Sequence, residues 1–403
     1  MVAVLSRIYG LQHIDIIMDV VQDTFESALL KWRFNGLPTN PSAWLMQVAK
    51  NKAINNLKRQ SKTTLFVPSK FLKQFDSSVE QELDYLIQPQ NIQDSQLRLL
   101  FVCCNPAFSQ KNQVIITLNV LCGFNVPEIA NALVMNEEAV KKALTRIKSL
   151  LKSYQSTFNL SHFSPSIENV KTIHTILYLM FNEGYKTTRA KEPINNDLCY
   201  EAIRLTKLLE GSTQVLSSDT NALLSLMFFN ISRFPARLGE SNELLTLKEQ
   251  NRNKWNKVYI EEGFYFLNKL ITTDTLTRFH IEALIASLHC SAATFESTNW
   301  EKIIYLYSLL EQLDSSPLIK LNKIIAESYL NFSKTIEEIN KLEIELTLNN
   351  SLFIQVAKAD VYARKGEFQN ASRHYEKALQ LSISNHDKNF LTNKLNQCKL
   401  NLN

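Results

Sequence analysis

Glycine and proline are scarce in this chain, with 8 and 10 among 403 residues. Tight turns between strands draw on those two residues, so a fold built from many hairpins is excluded. Helix-forming Leu, Lys, Glu and Ala are common, and the fold class reads as all-α. A strong excess of one charge is missing too. The formal net charge is +5, so any surface for nucleic acid has to be local. The six cysteines (Cys103, Cys104, Cys122, Cys199, Cys290 and Cys398) contain no Cys-x-x-Cys spacing. Adjacent Cys103 and Cys104 suit neither a zinc knuckle nor an easy bridge. They read as reduced core thiols, and neither a metal nor a cofactor is expected. No apolar run is long enough to span a bilayer and no leader pattern is present, so the expectation is a cytoplasmic protein without membrane contact.

What the chain does have is helical periodicity, interrupted at a few places. The first amphipathic stretch runs from "AVLSRIYG" to "LLKW", with a break expected between Gly10 and His13. Asn40 followed by Pro41 pairs an N-cap with the residue favoured at the first helical position, and the helix it starts runs to about Gln60. Pro68, Pro89 and paired serines then disrupt the period, which marks residues 63–93 as a linker between a first domain (1–62) and a second (94–155). After a Ser-rich break, residues 165–403 read as one long helical region. Within it Tyr362, Gly366, Phe368, Ala371, Tyr375, Ala378 and Leu381 follow the helix-turn-helix pattern of a tetratricopeptide repeat near 355–385. An α-solenoid is therefore expected there. In "FNEGY", Gly184 reads as a left-handed helix end with Phe181 and Tyr185 packing beside it.

Two stretches could meet nucleic acid. In "GFNVPEIANALVMNEEAVKKALTRIKSLLK", Asn125 and Glu128 form a capping box, and Asn136 caps a second, longer helix. Val140, Leu144, Ile147 and Leu151 make that helix's inward stripe. Its other face carries Glu138, Lys141, Lys142, Thr145, Arg146 and Lys148, suited to base edges and phosphates. In the Pro41–Gln60 helix, Leu45, Val48, Ala49, Ala53 and Leu57 form the apolar stripe. Opposite them stand Trp44, Gln47, Asn51, Asn55, Lys58 and Arg59, with Lys50, Lys52 and Lys62 near. Cations hold phosphates, amides read base edges and an aromatic stacks on an unpaired base. Either surface is also compatible with an ordinary solvated helix face.

Taken in order, "DVVQDTFESALLKW", "NPSAWLMQVAKNKAINNLKRQ" and the later helix pair resemble regions 2 and 4 of an extracytoplasmic-function sigma factor. "LYLMFNEGY", "LCYEAIRLTKLL", "LLSLMFF" and "LLTLKEQNRNKW" are similar to the subgroup with a long C-terminal helical extension. The resemblance implies two small helical domains that bind DNA and polymerase, followed by the extension. It implies that Asp19, Gln22, Asp23 and Phe25 dock on the β′ clamp helices of core RNA polymerase, with the β flap as a further contact. It implies that Trp44, Asn51, Asn55, Lys58 and Arg59 read the promoter −10 element, and that the helix carrying Lys141 reads the −35 element. A protein or peptide regulator is the partner expected for the extension.

The sequence departs from that pattern at several points. Asn55 stands where relatives carry Asp, Ala143 where Arg is common, and Asn251 and Asn256 replace two carboxylates. Met1 falls partway into the first region 2 helix. The competing readings are a helical-repeat adaptor and a metal-dependent enzyme using His174, His280, His289 and Cys103/Cys104. No metalloprotease motif, nucleophile elbow or phosphate loop supports the latter.

Overall fold

The computed structural model describes residues 1–63, 85–86, 88–133, 135–153, 166–186, 193–210, 216–240, 243–270, 276–345, 351–382 and 385–402. These residues are helical apart from connections and one isolated antiparallel bridge, Leu238 to Leu244. The chain divides into two compact units: residues 1–180 with 207–216, and residues 181–206 with 217–403.

In unit 1, α1 (Val2–Tyr9) stops at Gly10, whose φ of 86° lies in the left-handed region. One 3₁₀ turn over Leu11–His13 leads into α2 (Ile14–Asn35). Asn40 then starts α3 (Pro41–Thr63), its Oδ1 accepting the Ala43 N–H at 3.1 Å. Leu5, Tyr9, Ile17, Val20, Ala49 and Ala53 from these helices share one core. The next helix, α4 (Pro89–Cys103), has Pro89 at its first position. That proline starts a helix inside the span read as linker, because its missing N–H belongs to a group with no intrahelical partner anyway. Residues 64–84 and 87 of that span lie outside the described residues. Arg7 on α1 donates to Asp94 on α4 at 2.6 Å, and Arg98 donates to the same carboxylate at 2.9 Å. Buried α5 (Gln110–Val120) precedes α6 (Val126–Ala132) and α7 (Glu137–Ser153).

α8 (Ile167–Tyr185) and α9 (Asn196–Leu209) contribute residues to both units. Gly184 departs from its expected role. It sits inside α8 rather than at a left-handed turn, and a Cβ there would lie 2.8 Å from both the Asn195 carbonyl and Cys199 Sγ. The residue is small because α9 starts against it. Unit 2 continues with α10 (Ser217–Ile231), α11 (Phe234–Arg237), α12 (Lys257–Asn268) and α13 (Arg278–Ser291). Asn251 and Asn256 cap a 3₁₀ turn at Arg252–Lys254 and the start of α12.

From α13 onward the cores follow one another in sequence. One cluster joins α13, α14 (Trp300–Leu313) and α15 (Pro317–Glu327) through Ile285, Leu306 and Ile319. The next joins α15, α16 (Thr335–Glu345) and α17 (Leu352–Arg364) through Leu321, Leu342 and Val361. A third joins α17, α18 (Phe368–Leu381) and α19 (Asn385–Leu400) through Ala359, Tyr375 and Leu391. Each helix buries its apolar face mainly against chain neighbours, as stacked repeats do. Gly366, with φ 78°, makes the turn between α17 and α18, where Ala371 and Ala378 are fully buried.

Candidate nucleic-acid interface

The expected surfaces lie in unit 1, on α2, α3 and α7. On α2, Asp19, Gln22 and Asp23 are exposed, and their spacing places them on one face. Phe25 is 49% exposed. The apolar exposure continues beyond what was expected, through Leu29, Leu30, Phe34 and Leu37, with Phe34 at 80%. The sequence held a signal for this patch: "FESALLKWRFNGL" has more apolar residues than one inward stripe can use.

On α3 Ala49 and Ala53 of the expected stripe are fully buried, whereas Leu45, Val48 and Leu57 are half-buried and Met46, outside that stripe, is buried. Asn51, Asn55 and Arg59 are exposed, and the Lys58 side chain lies outside the described residues. Trp44 is half-buried, its ring 5.4 Å from that of Trp32, with the Lys31 ammonium 5.8 Å above it. The basic face is narrower than expected. Lys50 is only 3% exposed, and Lys52 turns back to α2, donating to the Asp23 carbonyl at 2.5 Å and to Ser27 Oγ at 2.8 Å. Both flank the Ala49–Ala53 stripe, so their stems bury along α3 and their ammonium groups do not project with Asn51 and Asn55.

The helix pair α6/α7 is built as the sequence implies. Asn125 Oδ1 accepts the Glu128 N–H at 2.9 Å, and Glu128 Oε2 accepts the Asn125 N–H at 2.8 Å. Asn136 caps α7 by accepting the Glu138 N–H at 2.8 Å. Val140, Leu144, Ile147 and Leu151 are buried together with Ile129 and Ala130. Glu138, Lys141, Lys142, Thr145 and Arg146 are exposed along the opposite face. Two of them are engaged locally: Lys141 pairs with Glu138 at 3.0 Å, and Thr145 donates to the Lys141 carbonyl at 2.9 Å.

Lys148 departs from this set. Its ammonium lies 3.1 Å from Asp15 Oδ1, and Lys152 reaches Asp15 Oδ2 at 2.6 Å. Position 148 borders the buried stripe next to Ile147, so its side chain meets the start of α2 rather than open solvent. Burial alone would raise the Asp15 pKa, but the hydrogen bonds and charges of Lys152 and Lys148 outweigh it and hold the carboxyl below its ordinary value.

The groups that most resemble a catalytic centre lie apart from these faces of α2, α3 and α7 in the chain. In unit 2, Ser218 Oγ lies 2.7 Å from His280 Nε2, with Asp219 3.7 Å from Nδ1. A serine nucleophile needs Nε2 as acceptor. Here Nδ1 accepts the Thr277 backbone N–H at 3.3 Å, and the Thr277 hydroxyl donates to Asp219. Thr277 Oγ1 also lies 2.8 Å from Nδ1, so the Thr277–His280 pair is a capping box at the start of α13. Burial pushes the Cys103 thiol well above its ordinary pKa and that of Cys104 up to about 12, so neither is a thiolate. Among the described residues no group of three or more His, Cys, Asp or Glu side chains could hold a metal ion, and no helix is long and apolar enough to cross a membrane.

Residues 1–63, which end where α3 ends, match Sigma-70 region 2. That region implies binding to core RNA polymerase and promoter DNA in transcription initiation. Residues 169–271 match a family of unknown function (DUF6596). An uncharacterized protein of Rhizobium meliloti (strain 1021) is 33% identical over 317 residues, covering 79% of this chain and 74% of that protein. No solved structure matches the chain. The chain belongs to the same family as the Rhizobium meliloti protein, and its residues 1–63 carry a sigma-70 region 2.

Proposed function

We propose that this chain is an extracytoplasmic-function-type sigma factor whose helical extension, residues 165–403, regulates its activity. In this reading α3 meets the −10 element through Trp44, Asn51, Asn55, Lys58 and Arg59. The α6/α7 pair is a helix-turn-helix that meets the −35 element through Glu138, Lys141, Lys142, Thr145 and Arg146. The acidic-amide face of α2, Asp19, Gln22 and Asp23, docks on the β′ clamp helices, with Phe25 and the exposed Leu29, Leu30 and Phe34 as its apolar continuation. The unit carrying α7 also faces the β flap. The extension, tetratricopeptide-like near residues 355–385, takes a protein or peptide regulator.

The observation that carries this reading is the coincidence of the region 2 match with the exposed polar faces of α2 and α3. A solvated scaffold has no need of Phe25, Leu29, Leu30 and Phe34 on its surface, whereas a docking face does. The test is pull-down with core RNA polymerase followed by run-off transcription on genomic fragments. The expected result is retention of polymerase and discrete transcripts absent with core enzyme alone. Retention of other proteins without polymerase, and DNA affinity that ignores salt, would instead establish the helical-repeat adaptor.

A further inference from the structure

Unit 2 carries an open cleft of about 1120 Å³. Its lining includes three carboxylates, each already matched by a cation. Asp387 pairs with Lys186 at 3.1 Å, Asp360 with Arg364 at 2.8 Å, and Glu249 with Lys394. Two further guanidinium groups of the lining have no such counter-charge. Arg237, 7% exposed, donates to the Tyr185 carbonyl at 2.6 Å and lies 3.3 Å from the Tyr185 ring centroid. Arg233 donates to Gln250 Oε1 at 3.2 Å and lies over Trp255 at 5.8 Å. Neither has a carboxylate within ion-pair distance among the described residues. Arg252 adds a third guanidinium over the same Trp255, held by the carbonyls of His289 and Ala292.

Arg237 is buried while Arg233 and Arg252 are half-buried, and a guanidinium drawn out of water without a counter-ion is costly, a cost that carbonyls and ring faces offset only in part. Two buried polar atoms beside them also lack any partner: His289 Nδ1 and the Tyr185 hydroxyl, both from residues of the lining. Burial first, then Arg233 and Arg252, pushes His289 down to about 4, so its ring is neutral and free to hydrogen-bond at physiological pH. Unsatisfied hydrogen-bonding groups and uncompensated positive charge thus share one cleft.

We propose that this cleft binds a small anion whose phosphate or carboxylate oxygens are received by Arg233 and Arg237, with His289 and the Tyr185 hydroxyl as flanking hydrogen-bond partners. Planar guanidinium forks match both oxyanions. The volume exceeds the roughly 300–1,000 Å³ usual for drug-sized ligands, which leaves room for an organic body behind the anionic group. Tyr185, Arg233 and Arg237 all fall in the stretch that matches the family of unknown function, so the site gives that stretch a task. The proposal goes beyond transcription initiation and stands whether or not that reading holds.

The test is thermal unfolding of the full chain titrated with sodium phosphate and, separately, sodium citrate, with ionic strength held constant by sodium chloride. A saturable rise in Tm with either probe is expected, and the probe that acts distinguishes phosphate from carboxylate recognition. In Arg233→Gln the half-saturating concentration rises at least about tenfold, the loss of one charge-assisted hydrogen bond. Lys302→Gln, which removes an equal charge outside the cleft, leaves it unchanged. If Arg233→Gln does not fold, Arg233→Lys keeps the charge, loses the fork, and still weakens binding. The proposal is overturned if neither probe stabilises wild type beyond chloride, or if the arginine variant responds as wild type does.

Discussion

Gly184 and Asp15 are single residues whose chemistry decides a contact. At Gly184 the α9 start occupies the space a side chain would need, and the Gly184 carbonyl accepts the Asn195 N–H at 2.8 Å. Gly184→Ala therefore overpacks the junction and lowers stability by about 1–3 kcal/mol, read as a lower Tm by circular dichroism. From sequence alone the glycine reads as a turn, because "NEGY" carries no trace of the backbone that comes to lie against it. At Asp15 two lysines from α7 converge on one carboxylate. Since the folded pKa lies below the unfolded one, the stabilisation is present above the ordinary carboxylate range and is lost as pH falls through the folded value. With both partners partly exposed, Asp15→Asn should cost about 0.5–1 kcal/mol at pH 7. Wild-type and variant melting temperatures should then converge in acid; a gap that persists at pH 2 would assign the effect to packing instead.

Elements were legible wherever local chemistry and hydrophobic period agreed. The Asn40, Asn125 and Asn136 caps, the break at Gly10 and the Val140–Leu151 stripe all follow from neighbouring residues, and the structure places them accordingly. What sequence could not give was which near-stripe lysine faces solvent. Lys148 differs from Lys141 and Lys142 only by its place around α7, and for it and for Lys52 on α3 neighbours on α2 decide the outcome. The distinction is measurable. Replacing Lys141, Lys142 and Arg146 together by Gln should weaken promoter DNA binding and flatten its salt dependence by about 0.9 log units for each phosphate no longer neutralised. Lys148→Gln should leave that slope nearly unchanged, because its ammonium is already committed to Asp15. On α2 there are more apolar residues than one inward face can bury. Leu29→Glu and Phe34→Glu should reduce retention of core polymerase while leaving the melting temperature within about 1 °C, since surface substitutions away from packing cost within ±0.5 kcal/mol. A melting temperature that falls with polymerase retention would show the patch to be structural.

At the level of the whole molecule, the division into units constrains which experiments can address regulation. The chain passes between units after residues 180, 206 and 216, so cutting it near residue 160 would also remove 167–180 and 207–216 from unit 1. Loss of activity in such a fragment would report damage as readily as regulation, and the intact chain is the proper subject. Promoter reading by two modules also makes a demand that no single residue can meet. If α3 and α7 each bind weakly and act together, joining them raises the effective concentration of the second site, and avidity exceeds either affinity by about 10²–10⁴. Breaking the geometry should then cost as much as removing a module. Inserting five base pairs between the mapped promoter elements turns them about half a helical turn apart. Run-off transcription by the full chain with core polymerase should fall to the level seen with the triple substitution on α7, and Asn51→Ala with Asn55→Ala should bring it equally low. Adding the insertion to the α7 variant should cost little more, because its second module no longer grips the DNA. Independent, additive losses would mean that the two helices do not read one promoter together.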